Sequence, residues 1–262
     1  MFALSRSTLP DPPTPAGAPP KTGVLQIGDG NFLRGFADWM IDIANEAGVL
    51  DAAAIIVPPL STNIVERLNA QDGLFTVLTR GIRDGAPTTS RRIVRCVTGG
   101  IDPYRDPATL FGCAHDPKTR FVISNTTEAG IVYLEQPRTP GGWPRSFPAQ
   151  VAALLFDRFE ALGGRPETGL VFLPCELIEA NGATLREIVL RHARDWALPQ
   201  AFVDWVVRHN HFLNTLVDRI VPGYPATEAD SLFADFGYTD ALLVAAEPFH
   251  LWVIEGPASL AD

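Results

Sequence analysis

The apolar and polar positions along the chain alternate between short apolar runs and longer stretches with helical period. The apolar runs have the length of buried parallel strands, and most are followed by amphipathic stretches. The predicted strands cover residues 24–27, 53–57, 121–124, 170–173, 242–246 and 251–254, and the predicted helices cover residues 64–68, 107–113, 149–162, 185–196 and 201–209. This order predicts an α/β fold with a doubly wound, mainly parallel sheet and helices on both faces.

One segment departs from this order. Residues 74–80 and 91–97 both alternate apolar with polar side chains and are joined by a turn-forming segment at residues 84–87. This pattern predicts a hairpin insertion with one solvated face. Arg91, Arg92 and Arg95 cluster there, and a solvated strand face is favoured over an anion site.

The turn after the first strand is the strongest candidate for function. Gly28 and Gly30 form a G-x-G turn, and a helical segment follows with Phe32, Phe36, Trp39, Met40 and Ile43 on one face. Glycines let the backbone approach a pyrophosphate, whose charge the helix N-terminus favours. The third glycine of G-x-G-x-x-G is replaced by Leu33, and Gly35 comes two residues later. The turn therefore predicts a Rossmann-type cofactor loop, with an ordinary strand–helix turn as the alternative.

The end of the second predicted strand does not settle the cofactor. An acid at this position usually binds the ribose 2′-hydroxyl of NAD. Here residues 57–62 read Val-Pro-Pro-Leu-Ser-Thr, and Asp51 lies at the other end of the strand. No arginine follows immediately to receive a 2′-phosphate, so NAD and NADP both remain open.

Polar residues follow two further strands at the edge where open α/β sheets bind ligands. Asn125, Thr126, Thr127 and Glu128 come directly after residues 121–124. Their side chains are candidates for binding a carboxamide or ribose, and Glu128 for relaying a proton; the alternative is a polar turn that caps the next segment. Glu176 follows residues 170–173 and is a further candidate, because a buried acid is costly unless it is paired.

Three other groups of residues are candidates for binding or catalysis. Asp218 and Arg219 lie in an apolar setting, as a structural ion pair or as part of a substrate pocket, and both remain open. His209 and His211 do not share a helix face and have no evident third ligand, so no metal site is predicted. Cys175 is interpreted as a small core residue, because no histidine lies near it in the sequence.

Composition limits the partners and the compartment. The chain has 262 residues and a net charge of −9, which argues against nucleic acid or an anionic membrane as the main partner. No apolar run approaches the roughly 20 residues of a membrane span. The 3 cysteines are scattered, which favours a reducing cytoplasm over a disulfide framework. Residues 1–21 are proline-rich and predict a flexible leader before a domain at residues 22–262.

Four segments together resemble the mannitol dehydrogenase family of polyol-specific long-chain dehydrogenases: residues 28–36, 124–130, 214–222 and 247–256. Residues 69–76, 173–179 and 221–225 resemble the branch of that family that acts on tagaturonate and altronate. The resemblance implies a Rossmann-type N-terminal domain and a mostly helical C-terminal substrate domain. It also implies reversible, metal-independent hydride transfer between NAD, with NADP not excluded, and a small-molecule sugar acid.

The resemblance also implies roles for particular residues. Residues of the first motif would hold the pyrophosphate, residues of the second would lie near the nicotinamide, and residues of the third would lie near the substrate. In that order these are Gly28, Asp29, Gly30, Asn31, Phe32, Leu33 and Arg34; Asn125, Thr126, Thr127 and Glu128; and Asp218 and Arg219.

Two departures from the family pattern bear on activity. Leu177 stands where members such as mannitol dehydrogenase carry an oxyanion-stabilising asparagine. The family's catalytic lysine lies beyond the last motif, and Lys21 and Lys118 are the only lysines here. The sequence therefore predicts the cofactor-binding part of a longer dehydrogenase without its helical domain, with little or no turnover alone and a tendency to self-associate. The alternatives are a mannitol- or fructuronate-type dehydrogenase domain and a non-catalytic dinucleotide-binding module.

Overall fold

The centre of the molecule is a parallel sheet. The computed structural model describes residues 1–9, 20–60, 62–126 and 129–260. In spatial order the 6 strands are Val97–Gly100, Ala52–Val57, Thr22–Ile27, Thr119–Ser124, Val171–Pro174 and His211–Phe212. Counted along the chain, this order is 3-2-1-4-5-6, and every neighbouring pair is parallel. It is the order of a doubly wound dinucleotide-binding sheet, so the predicted fold class is confirmed.

Two apolar cores lie on opposite faces of this sheet, because successive side chains of a strand point to opposite sides. Val24 packs with the helical run 31–46, whereas Leu25 and Ile27 pack with the helix Phe147–Leu162. The run 31–46 consists of α-helix Asn31–Leu33, a π-helical turn Arg34–Asp38 and α-helix Trp39–Glu46. The other α-helices are Ile64–Ala70, Pro107–His115, Asn181–Asp195, Gln200–His209 and Ala229–Phe236.

The predicted hairpin is present, with one correction. Its strands are Phe75–Arg83 and Ala86–Val94, and Val244–Ala246 joins Phe75–Arg83 as a parallel third strand. Asp84 and Gly85 have φ of 53° and 79°, as a tight hairpin turn requires. The predicted strand 91–97 is in fact two: the chain leaves the hairpin after residue 94 and enters the central sheet at residue 97. The alternation of apolar and polar residues continues while the strand changes its pairing partner, so the sequence pattern does not show that two strands are present.

A separate ribbon lies near the end of the chain. Asn214–Asp218 pairs in an antiparallel direction with Leu251–Glu255, with Val217 opposite Trp252 and Leu216 opposite Val253. The strand predicted at residues 251–254 is confirmed, whereas its partner strand was not predicted. Trp252 packs on Phe36, at a ring-centroid distance of 5.2 Å, so one face of the ribbon covers the helical run 31–46.

The first residues of the predicted flexible leader are packed against the domain, which corrects that prediction for residues 1–9. Phe2–Ala3 pairs in parallel with Tyr238–Thr239, and the Leu4 side chain is fully buried. The buried side chains of Leu4 and Leu9 hold this segment against the domain, and the proline-rich composition gives no indication of this packing. The leader residues 10–19 lie outside the described residues, and the boundary at residue 22 stays a prediction.

No helix in the described parts of the chain is long and apolar enough to cross a membrane. All 3 cysteines are free thiols, and Cys175 is buried, which confirms its interpretation as a core residue. The cytoplasmic location inferred from their scatter stays a prediction.

Candidate functional site

The glycine turn lies at the carboxyl edge of the sheet, between the ends of neighbouring strands. Gly28 has φ of +140°, and a Cβ atom there would lie 2.8 Å from the main-chain oxygen of Asn125. Its N–H donates to the main-chain oxygen of Val57 at 2.9 Å. Only glycine fits this conformation and this close approach, so Gly28 sets the path of the loop.

Gly30 faces the open side of the loop. It begins the helical run with φ of −67° and ψ of 164°, and no side chain in the described part of the chain caps the helix there. A Cβ atom at Gly30 would meet no atom of the described residues within 4 Å. The first N–H groups of a helix have no partner within the helix. Those of Asn31, Phe32 and Leu33 therefore form a cradle of donors, beside space that the described residues leave open, and this arrangement suits an anion.

The packing role of the missing third glycine is taken by Gly35. Leu33 is buried, with its Cδ1 atom 3.0 Å from the position of a Cβ on Gly28. A Cβ atom on Gly35 would lie 3.0 Å from Val221 and 3.1 Å from Val244. The glycine at which the helix packs closely against its neighbours is therefore Gly35, in the π-helical turn, two residues after Leu33.

The other residues of the first motif differ in exposure. Asn31 is exposed, and the Asp29 carboxylate accepts a hydrogen bond from the Thr62 hydroxyl at 3.0 Å, which joins two loops of this edge. Phe32 stacks on Phe36 with ring centroids 4.9 Å apart.

Arg34 points into the protein. It is 5% exposed and donates to the main-chain oxygen of Leu242 and, at 2.6 Å, to the Asn31 side chain. Burial lowers the pKa of the Arg34 guanidinium to about 10, so it stays charged at neutral pH. In this structure the side chain braces the loop from below, and its direct contact with a pyrophosphate stays a prediction.

The second motif is tied to the neighbouring strand by a buried acid. Glu176 is 2% exposed and accepts hydrogen bonds from the Ser124 hydroxyl and from both the N–H and the hydroxyl of Thr126, at 2.9 to 3.0 Å. The Asn125 side chain donates to the main-chain oxygen of Cys175 at 2.7 Å. Thr127 and Glu128 lie outside the described residues, so their predicted place near the nicotinamide is not addressed by the structure.

Glu176 is thus a paired acid, as the cost of burial requires. Burial raises the pKa of its carboxyl, while the hydrogen bonds from Thr126 and Ser124 act in the opposite direction. The carboxylate joins the ends of the strands Thr119–Ser124 and Val171–Pro174, and so fixes the spacing of the edge at which the second motif lies.

Asp218 and Arg219 point to different environments and form no ion pair in the described part of the chain. Asp218 is exposed, and Arg219 is 5% exposed. Arg219 donates to the main-chain oxygens of Gly35 at 2.6 Å and Glu247 at 2.8 Å, and its guanidinium lies 4.1 Å from the centre of the Trp39 ring. Arg219 therefore links three elements, and a place near the substrate stays a prediction for both residues.

Three of the four motifs meet around the helical run 31–46. Arg219 of the third motif reaches both the first motif at Gly35 and the fourth at Glu247. The Glu247 carboxylate also accepts the N–H of Ile220 at 2.6 Å. The second motif adjoins the first, because the Asn125 N–H donates to the main-chain oxygen of Ile27 at 3.1 Å. Motifs scattered over more than 200 residues thus form one continuous region.

A cleft at the same edge was missed by sequence reasoning. It has a volume of about 600 Å³ and is lined by Leu60, Tyr104, Leu134, Glu135, Gln136 and Arg145. Leu60, Tyr104 and Leu134 follow three different strands of the central sheet. The Tyr104 hydroxyl donates to the main-chain oxygen of Pro59 at 2.9 Å and so closes one wall. No local pattern marks these residues, because only the strand order brings their loops together.

Both lysines lie at the opposite edge of the sheet. Lys21 directly precedes the strand Thr22–Ile27, and Lys118 directly precedes Thr119–Ser124. The glycine turn and the second motif follow the other ends of these same strands. Six residues of parallel strand span about 20 Å, so neither lysine is placed to reach the glycine turn.

Comparison with known proteins agrees with this geometry. Residues 22–262 match the Mannitol dehydrogenase Rossmann domain. The altronate oxidoreductase of Klebsiella pneumoniae is 47% identical over 262 residues, which are 100% of this chain and 53% of that protein. That of Escherichia coli O7:K1 is 44% identical, with the same coverage. The chain therefore spans about half the length of the curated relatives it matches.

Solved structures show the same fold. The mannitol 2-dehydrogenase of Pseudomonas fluorescens, in a ternary complex with NAD and D-mannitol, is 27% identical, with a TM-score of 0.77 over 90% of this chain and 49% of that chain. A substrate-free D-sorbitol dehydrogenase, 24% identical, has a TM-score of 0.78 over 98% of this chain and 55% of its own, and supports the fold alone. The chain belongs to the mannitol dehydrogenase family, whose Rossmann-domain model matches residues 22–262.

Proposed function

We propose that this chain is the dinucleotide-binding part of an NAD(P)-dependent oxidoreductase that interconverts the sugar acids tagaturonate and altronate. The observation that carries the proposal is the open donor cradle that begins at Gly30, at the edge of a 3-2-1-4-5-6 sheet. The substrate is suggested by the relatives of 44–47% identity, which are named altronate oxidoreductases.

The residues present fit a dinucleotide. The N–H groups that begin the helical run are placed to bind a diphosphate, and Gly30 leaves room for it. The apolar side chains of Leu60, Tyr104 and Leu134 suit an adenine ring. When bound, the nicotinamide would supply or accept the hydride. Glu135 and Arg145 line the same cleft, one suited to a ribose hydroxyl and the other to a 2′-phosphate, so we expect the choice between NAD and NADP to depend on them.

We further propose that the proton donor of the reaction lies in a second half, which the relatives' length accommodates. Reduction of a ketone needs a proton source poised near neutral pH. Both lysines of this chain lie at the edge of the sheet opposite the glycine turn. By itself the chain would then bind dinucleotide with little or no turnover.

Titration with NADH and NADPH, followed by nicotinamide fluorescence, tests the proposal beside a tagaturonate-dependent oxidation assay. Binding of either cofactor without turnover is the expected result. Turnover would reveal a proton donor within the chain, and a parallel assay with fructuronate and fructose would separate the neighbouring substrate classes. A folded chain that binds neither cofactor would overturn the proposal.

We expect Gly30→Val to abolish dinucleotide binding while the domain stays folded. Valine tolerates the backbone angles of Gly30, and its side chain would fill the open side of the cradle. Gly112→Val is the matched control, because Gly112 also has open space and lies in the helix Pro107–His115, away from the cradle. Unchanged affinity in Gly30→Val would refute the placement of the diphosphate.

The non-catalytic dinucleotide-binding module remains the second candidate, favoured by the placement of the lysines. The two differ in one observable: an oxidoreductase part gains tagaturonate-dependent turnover when the C-terminal half of a relative of 44–47% identity is added, and a module does not.

A further inference from the structure

Besides Arg34, a hydrogen-bonded pair of polar side chains is buried beneath the glycine turn. Gln26 lies on the first core strand and Asp38 on the π-helical turn, and both have no exposed surface. The Gln26 amide group donates to the main-chain oxygen of Gly28 at 3.2 Å and to the Asp38 carboxyl at 3.2 Å. Burying two polar side chains in a core costs free energy, so we expect a structural role that offsets this cost.

The bond to Gly28 has a geometric consequence for the loop. A trans peptide is planar, so its C=O and the following N–H point in opposite directions. The described residues contain no cis peptide bond. When Gln26 turns the Gly28 carbonyl toward the interior, the N–H of Asp29 is turned outward. The N–H of Asp29 then points toward the side of the loop where a bound diphosphate would accept a hydrogen bond.

We propose that Gln26 and Asp38 are positioning residues for the dinucleotide: Asp38 orients the Gln26 amide, and Gln26 presents the Asp29 N–H to the diphosphate. The role rests on the proposed function, because it presumes that the loop binds a dinucleotide. Neither side chain touches the ligand, since both are buried beneath the loop.

The charge of Asp38 gives this role a signature in pH. Burial raises the pKa of the Asp38 carboxyl to about 7; the hydrogen bond from Gln26 and the charge of Arg34 lower it, and the charge of Asp42 raises it. The Cys96 thiol donates to the main-chain oxygen of Asp38 at 3.2 Å. Above pH 7 the ionised carboxyl would place a negative charge beneath a loop that holds a diphosphate. Dinucleotide binding and protonation of Asp38 are therefore coupled, and affinity falls as the pH rises.

The test measures the dissociation constant for NADH between pH 6 and pH 8.5 by nicotinamide fluorescence. For the unmodified chain we expect the dissociation constant to rise roughly fivefold from about pH 6 to about pH 8.5, which is at the low end of the coupling found between interacting sites. Asp38→Asn keeps an acceptor for Gln26 and cannot ionise, so it should hold the low-pH affinity throughout. Gln26→Leu should weaken binding by about tenfold at every pH. Glu46→Gln is the control, since Glu46 is an exposed acid on the same helical run and should leave the profile unchanged.

The outcomes separate this inference from the function on which it rests. No binding at any pH would overturn the proposed function and the positioning role with it. Unchanged affinity in a folded Gln26→Leu variant would overturn the positioning role alone. Binding with a flat profile in the unmodified chain would overturn the coupling of that role to the charge of Asp38. An Asp38→Asn profile that keeps the original slope would do the same, because the titrating group would then lie elsewhere.

Discussion

Two ionisable residues in the interior, Arg219 and Asp38, differ in how their burial is compensated. Arg219 donates its N–H groups to the main-chain oxygens of Gly35 and Glu247, and it stays charged at neutral pH although burial lowers its pKa to about 10. Asp38 has one hydrogen bond from Gln26, and its Oδ1 atom has no partner among the described residues. A carboxyl with so little compensation holds a proton more readily than it holds a charge.

The pKa of Asp38 predicts how stability depends on pH. The folded-state pKa of about 7 lies above the ordinary value of 3.8, so between these values the folded protein keeps a proton that the unfolded chain has lost. The contribution of Asp38 to the free energy of unfolding is therefore complete at acid pH and is lost as the pH rises through 7. Between pH 4 and pH 8, the free energy of unfolding of the Asp38→Asn variant should fall by roughly 2–4 kcal/mol less than that of the unmodified chain. Urea unfolding at both pH values measures this, and equal losses would contradict it.

At the scale of elements, long-range side-chain contacts hold the helical run 31–46 in place. Arg219 connects it to the segment at Glu247 and approaches the hydroxyl of Thr79 on the hairpin at 3.5 Å. The π-helical turn brings Gly35 against Val221 and Val244. The orientation of the helix, and with it the direction of its first N–H groups, therefore depends on elements far away in the sequence.

Arg219→Met should destabilise the fold by about 2–4 kcal/mol, because it leaves the buried oxygen of Gly35 and the partly buried oxygen of Glu247 without their donors. Asp218→Asn is the matched control: the neighbouring side chain is exposed, and the change should cost under about 0.5 kcal/mol. Chemical denaturation of both variants measures the difference. A small effect of Arg219→Met would show that its contacts are dispensable and would favour a role at the substrate.

The two elements that bear most on the site differ in how far the sequence predicted them. The strand before Gly28 was predicted because its apolar run is bounded by glycine, and the structure extends it only to Thr22–Ile27. The strand Asn214–Asp218 was missed, because Val217 is its only buried residue and its pairing partner lies 33 residues beyond it. For the arginine cluster, Arg92 pairs with Asp42 and Glu46, which favours the strand-face interpretation.

At the scale of the whole molecule, the outer face of the ribbon is an exposed apolar surface. Leu216 and Val253, paired across the two strands, are 58% and 47% exposed. Leu251 continues the same face, and Ile220 and Phe249 flank it. Contiguous apolar surfaces of this kind mark sites of protein–protein contact. Within the proposed longer enzyme, a second half would be expected to pack here.

We expect the chain by itself to self-associate through this face as its concentration rises. Val253→Lys, which places a charge at the centre of the face, should shift the association to at least about tenfold higher concentration. Val49→Lys is the control, because Val49 is 81% exposed and lies in a loop away from the ribbon. Sedimentation velocity over a range of concentrations measures the effect. A chain that stays monomeric throughout, or a Val49→Lys variant that dissociates equally, would rule out the ribbon as the contact.

The sequence by itself determined the α/β class, the glycine turn and the polar residues that end the core strands, because strand burial, glycine backbone freedom and turn chemistry act between near neighbours. Only the tertiary structure decided that Arg34 and Arg219 point inward, that Gln26 and Asp38 lie under the loop, and that three separate loops enclose the cleft beside Tyr104. Those facts depend on which elements pack together across the sheet. A side chain's partners over such distances are set by strand order and helix packing, which no local pattern carries.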